Sequence, residues 1–208
     1  MKENTKPNNC LGNQKPPLGG GLERSPGSSE RGLGCSFFHF CPQCGSGRFV
    51  PNDFKSMRCE DCGFVYYLNP SAATAAFIMN SKGELLVTRR ALKPAKGTFD
   101  LPGGFCDIGE TLQEGVAREV KEETGLTVVS SKFLFSLPNK YVYSGFTVPT
   151  LDSFFLCRVD DDSVLHANDD AASAFWIAKS DIRPEQFGLG SIRRAVTIAL
   201  QHPSIVGE

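Results

Sequence analysis

Glu119, Glu122 and Glu123 stand at positions i, i+3 and i+4 of a run that reads as helix over Thr111–Thr124. At about 100° per residue the three share roughly a 100° arc of one helix face. An all-oxygen cluster of this kind suits a hard divalent cation, Mg²⁺ or Mn²⁺. The competing reading is a solvated acidic face, because like-charge helix pairs cost only a few tenths of a kcal/mol each. Gly115 falls in the same arc one turn earlier, at a cost of about 1 kcal/mol relative to alanine, and is expected to clear space beside the carboxylates. Leu112, Val116, Ala117 and Val120 form the adjoining apolar stripe, so the acidic edge borders a core and is placed to line a cleft.

A second set of residues follows the spacing Cys41-x2-Cys44-x14-Cys59-x2-Cys62, with Gly45 and Gly63 trailing the two pairs. Two such turns complete a tetrahedral all-sulfur site, and the glycines let the backbone fold back toward the sulfurs. The segment has about 30 residues, too few to hold together by apolar burial, so Zn²⁺ binding would supply much of its folding free energy. Four sulfurs close the site, which makes it structural. The alternatives are two redox Cys-x-x-Cys motifs or unbound thiols, and His39 is an alternative ligand. Phe37, Phe38, Phe40, Phe49, Tyr66 and Tyr67 are expected to pack around the metal, with base stacking as the other reading.

The elements that must position these groups are legible in outline. Residues 1–36 contain no aromatic residue and are crowded with Gly, Pro, Asn and Ser, as a disordered tail would be. Residues 37–68 form the zinc ribbon, and residues 69–208 an α/β domain. In that domain strands are expected at 72–79 and 84–89, joined by a turn at Asn80-Ser81-Lys82-Gly83. After the helix, which stops at Gly125, come strand-like runs at 126–137 and 151–159 and an apolar patch, Phe175-Trp176-Ile177. A last helix is expected from about Ser191 to Gln201.

The 208 residues balance 22 basic against 23 acidic side chains, a net charge of −1, which excludes a globally basic nucleic-acid binder. Only Arg48, Lys55 and Arg58 lend the ribbon positive charge, so a nucleic-acid partner is not expected. No apolar stretch reaches the roughly 18 residues of a membrane helix, and no secretory h-region follows the first lysines. With paired cysteines that read as metal ligands, a cytoplasmic location is expected.

The segment from Gly104 to Leu126 resembles the Nudix box, G-x5-E-x7-R-E-U-x-E-E-x-G-U, where U is aliphatic. Gly104, Glu110, Arg118, Glu119, Glu122, Glu123 and Gly125 match its fixed positions, and Val120 and Leu126 fill the aliphatic ones. The resemblance implies a Nudix hydrolase over about residues 72–208, an α/β/α sandwich with a mixed sheet in which the box forms loop–helix–loop. The preceding four cysteines resemble the ribbon of NADH pyrophosphatase-type members. It further implies Glu119, Glu122 and Glu123 as Mg²⁺ or Mn²⁺ ligands with the Gly103 carbonyl, and Glu110 and Arg118 as a structural ion pair. The implied chemistry is attack of a metal-activated water on a pyrophosphate phosphorus. Glu122 is the candidate proton acceptor, and Asp169 and Asp170 are candidates for an extra ligand or base, or else solvated loop acids.

The box fixes the bond cleaved and leaves the attached moieties open. NADH pyrophosphatases carry S-Q-P-W-P-F-P-x-S after the box, whereas this chain reads Ser136-Leu137-Pro138-Asn139-Lys140-Tyr141-Val142-Tyr143. Tyr141 and Tyr143 are candidates to stack a base and Lys140 to meet a phosphate. The expected substrate is a nucleoside diphosphate linked to another moiety, ADP-ribose or an NADH-like dinucleotide. The alternatives are a nucleoside triphosphate, or a non-catalytic module that senses a nucleotide or binds protein. The ribbon is also a candidate dimerisation element.

Overall fold

The structure is a computed structural model that describes residues 38–143, 145–165, 171–202 and 205. The expected tail and the pair Asp169–Asp170 lie outside the described residues.

Three short strands, β1 (Phe49–Asp53), β2 (Ser56–Cys59) and β3 (Val65–Tyr67), form an antiparallel sheet in that order. Phe49 and Met57 are buried between Cys41 and Cys59, and Phe38, Phe64 and Tyr66 pack against them. The ribbon's expected packing therefore holds for Phe38, Phe49 and Tyr66, while Phe40 and Tyr67 are 68% and 51% exposed. Phe37 lies outside the described residues. Leu68 closes the ribbon by donating its N–H to the Lys55 carbonyl, and Asn69-Pro70 leads into the next strand.

That strand, β4 (Ser71–Ile78), pairs in parallel with β8 (Phe146–Val159), which pairs antiparallel with β7 (Val128–Tyr143). A second sheet has the order β6-β5-β9, from β5 (Glu84–Arg90), β6 (Phe99–Asp100) and β9 (Ala171–Ala178). Helix α1 (Leu112–Thr124) begins with a capping box between Thr111 and Glu114 and ends at Gly125. It lays Val116 and Val120, both fully buried, onto Ala76, Ile78, Leu86 and Phe155. Helix α2 (Gly190–Gln201) lays Ile192, Ala195, Val196 and Ala199 onto Ala75, Phe77, Val87 and Phe154. Neighbouring strand residues face opposite sides, so the sheets lie between the two helices, as an α/β/α sandwich requires.

Two strands run further than the sequence suggests. Pro138 and Pro149 bound the expected runs, yet both lie inside the β7–β8 ladder. The ladder tolerates them because β7 is an edge strand and the β4 pairing of β8 begins only at Thr150. The consequence is a long hairpin that carries Asn139 and Tyr141 out beside the box helix.

Candidate active site

One end of a cleft of about 360 Å³ is built by the box. Glu119, Glu122 and Glu123 line it together with Gly103, Gly104, Phe105 and Arg118. Residues 102–106 run alongside β4: Thr74 and Ala76 donate their N–H groups to the Gly104 and Pro102 carbonyls, and Cys106 donates to Ala72. The contact is so close that a Cβ on Gly103, whose φ is +151°, would come 2.1 Å from the Thr74 carbonyl oxygen. A Cβ on Gly104 would come 2.5 Å from a Glu119 oxygen. The glycines thus let the loop pass between sheet and carboxylates.

Arg118 organises the acidic edge. Its Nε and Nη2 donate to the two Glu110 oxygens at 2.9 and 3.0 Å, and its Nη1 donates to Glu119 and to Glu122 at 2.9 Å each. Nη2 also donates to the Phe105 carbonyl at 2.9 Å. Hydrogen bonding by Arg118 holds the Glu110 carboxyl below its usual range, and burial pushes Glu119 up against the pull of the same guanidinium. Glu123 accepts from the Gly103 N–H at 3.2 Å instead. Burial, and next to it the charge of Asp100, push Glu123 up to about 8. Gly115 serves a different purpose from the one expected. Its missing side chain makes room for the loop, where a Cβ would meet Cys106 Sγ and Glu110 Oε2 at 3.0 Å, and not for the three carboxylates.

The cleft continues between the sheets over residues that the sequence did not mark. Asp100 is buried and pairs with Arg90, Nη1 to Oδ2 at 2.6 Å, and Arg90 Nη2 reaches the Tyr141 hydroxyl at 3.3 Å. Asp152 is buried on β8 among Asn139, Thr150 and Ser191. Thr74, also lining the cleft, has a buried hydroxyl with no partner among the described residues. Of the suggested substrate contacts, Tyr141 lines this cleft, edge-on to Phe105 with centroids 5.6 Å apart. Lys140 does not, because strand alternation turns it away from Tyr141; it lines a second groove with Leu68, Pro70 and Leu151. Tyr143 pairs with Phe146 at the hairpin end.

The ribbon presents the other candidate site. Cys41, Cys44, Cys59 and Cys62 bring their sulfurs within 4.8 Å of one another, and no other such group occurs among the described residues. Cys41 and Cys62 sulfurs are 3.7 Å apart and Cys44 and Cys59 sulfurs 3.6 Å. A tetrahedron with Zn–S bonds of about 2.3 Å has edges of about 3.8 Å, so the four fit a zinc ribbon. Gly45 and Gly63, at φ of 75° and 77°, close each knuckle by donating to the Cys41 and Cys59 carbonyls. His39 is exposed and outside the group.

A family model described as the NUDIX domain matches residues 69–197, more than half of the chain. The chain belongs to the Nudix family. As a Nudix protein it has relatives among characterised chains. It is 27% identical over 157 residues to the NAD-capped RNA hydrolase NudC of Vibrio cholerae, covering 76% of this chain and 55% of that protein. It is 43% identical over 76 residues to the ADP-ribose pyrophosphatase of Methanocaldococcus jannaschii, covering 36% and 44%. The chain thus spans about half the length of these curated relatives. In fold it is similar to the crystal structure of a NUDIX hydrolase from Nitrosomonas europaea, at TM-score 0.63 and 20% identity, covering 80% of this chain and 93% of that one.

Proposed function

We propose that this Nudix chain is a metal-dependent hydrolase that cleaves the pyrophosphate bond of a nucleoside diphosphate linked to another moiety, such as ADP-ribose or an NADH-like dinucleotide. The observation that carries this reading is the meeting of Glu119, Glu122 and Glu123 with the Gly103–Gly104 backbone at one end of a single cleft. The names of the Vibrio and Methanocaldococcus relatives point to the same bond.

The donors suit a hard cation in kind, three carboxylates and the Gly103 carbonyl, all oxygen, beside a glycine whose absent Cβ leaves the Glu119 carboxylate its space. A cation would have to draw together the three carboxylates, which do not all lie within 4.8 Å of one another. Glu119, Glu122, Glu123 and the Gly103 carbonyl would hold Mg²⁺ or Mn²⁺, which when bound neutralises charge on the phosphate oxygens and acidifies water. Arg118 orients Glu119 and Glu122 toward this role through its Nη1 bonds. Glu122, the most exposed of the three, takes a proton from the attacking water. The water oxygen bonds to one phosphorus, the bridging P–O bond breaks, and two monophosphates leave. Glu123 gives up its proton before serving as ligand, since burial keeps it protonated near neutral pH.

The four ribbon cysteines hold a structural Zn²⁺ in this reading. A cytoplasmic setting goes with this reading, because cysteines that hold a metal must stay unoxidised, and the described cysteines form no disulfide.

The test is a release assay with Mg²⁺ or Mn²⁺ across ADP-ribose, NADH, diadenosine polyphosphates, sugar nucleotides and nucleoside triphosphates. Turnover of diphosphate derivatives to two monophosphates is expected. Turnover of triphosphates alone, to monophosphate and pyrophosphate, overturns the substrate class.

A further inference from the structure

Asp152 takes no part in the hydrolysis described above, yet it is 7% exposed and lines the same cleft. We propose that Asp152 and Asn139 select a nucleobase that bears an exocyclic amino group; this rests on the reading that a nucleotide occupies the cleft.

Every partner of the Asp152 carboxylate is a neutral donor. Thr150 Oγ1 donates to Oδ1 at 2.6 Å, Asn139 Nδ2 donates to Oδ2 at 3.1 Å, and the Ser191 hydroxyl donates to Oδ2. A carboxylate has about four lone-pair sites, so Oδ1 keeps room for a further donor. Because a carboxylate only accepts, Asn139 must turn its NH₂ toward it. Its own carbonyl oxygen is left as an acceptor with no partner among the described residues. This wall therefore takes N–H groups and repels a carbonyl oxygen or a phosphate.

The surroundings fit a flat ring. Tyr141 and Phe105 stand edge-on to each other, and Leu92, Leu189 and Ile192 supply apolar lining. With cation ligands at one end and an acceptor wall between the sheets, the cleft has a direction, phosphates at Glu119 and base at Asp152. Adenine, guanine and cytosine carry the amino group, whose two hydrogens can serve both acceptors; hypoxanthine and uracil offer on that edge a ring N–H flanked by a carbonyl. An Asp152 that merely ties α2 and β7 to β8 would affect stability and impose no preference between these bases.

The experiment is equilibrium dialysis of the full chain with AMP, GMP, CMP, IMP and UMP, with hydrolysis of ADP-ribose, NADH and the other diphosphate derivatives in Mg²⁺ or Mn²⁺ followed in parallel. At least one amino nucleotide is expected to bind about tenfold or more tighter than its counterpart without the amino group, the scale of a hydrogen bond to a charged group. Asp152→Asn, with an unchanged circular dichroism spectrum, is expected to bring that ratio down to about twofold or less. Asn139→Ala supplies the same reading if Asp152→Asn does not fold. Equal binding within every pair, no binding of any of these nucleotides, or a preference that survives in a folded variant overturns the proposal. Base preference without turnover refutes the hydrolase reading and leaves this one standing; turnover without base preference does the reverse.

Discussion

Arg118 and Glu110 are joined end to end, Nε to Oε1 at 2.9 Å and Nη2 to Oε2 at 3.0 Å, while the remaining nitrogen of the same guanidinium holds Glu119 and Glu122. One side chain therefore ties the box loop to two of the carboxylates. Arg118→Ala is expected to lower the melting temperature by a few degrees and to reduce metal affinity or activity about 10- to 100-fold, as loss of a supporting contact does. Differential scanning calorimetry and steady-state kinetics on the same preparation check it. Unchanged kinetics would mean that the carboxylates hold their places without Arg118.

Gly103→Ala should be among the most damaging substitutions. Its Cβ would sit 2.1 Å from a backbone oxygen and 2.7 Å from the Ala75 Cα, and its φ of +151° is hard for any other residue. Overpacking together with backbone strain puts the loss at about 3 kcal/mol or more. Urea unfolding of the metal-free protein reads it directly. Stability equal to wild type would show that the loop does not pass against β4 as described.

Glu123 makes metal binding depend on pH. Its carboxyl is raised from 4.5 to about 8, first by burial and then by Asp100, so the metal-free protein is protonated there at neutral pH. A cation must displace that proton, and Mn²⁺ affinity is expected to rise by up to about tenfold per pH unit below 8 and to level off above it. The folded metal-free chain binds a proton that the unfolded chain releases between these two values. Its stability contribution is thus present below pH 4.5 and lost as pH rises toward 8. Titration calorimetry with Mn²⁺ from pH 6 to 9 tests the first claim, and a flat profile contradicts it.

About one zinc per chain is expected by elemental analysis, from the four-sulfur geometry of the ribbon. Cys59→Ser is expected to lower the zinc content and to loosen β1–β3, because Cys59 is fully buried beside Phe49 and Met57. Zinc-free protein prepared without chelator would contradict the assignment.

What the sequence made legible was local. The glutamates of α1 and the two cysteine pairs each lie within a few residues of their neighbours, so spacing alone places them on one helix face or one knuckle. Asp152 and Asn139 meet only because β7 and β8 pair with Asn139 opposite Thr150 and Leu137 opposite Asp152. Asp100 and Arg90 meet because β5 and β6 pair Thr88 with Asp100. Neither register is written in a motif. One signal was available: Asp152 stands in a strand-like run that continues Phe154-Phe155-Leu156-Cys157, and a charge in a buried strand needs a reason. Lys140 and Tyr141 show the opposite case, where neighbours in sequence are sent to different faces by strand alternation.

The proposed hydrolysis depends on Glu119 and its neighbours to hold the cation that drives cleavage of a pyrophosphate bond. The most direct measurement is the rate of AMP release from ADP-ribose in Mg²⁺ by wild type and by Glu119→Gln, with folding of both verified by circular dichroism. Metal-dependent release of AMP and ribose 5-phosphate by wild type is expected, lost on chelation and reduced by orders of magnitude in Glu119→Gln. A folded Glu119→Gln protein that releases AMP at the wild-type rate would contradict it.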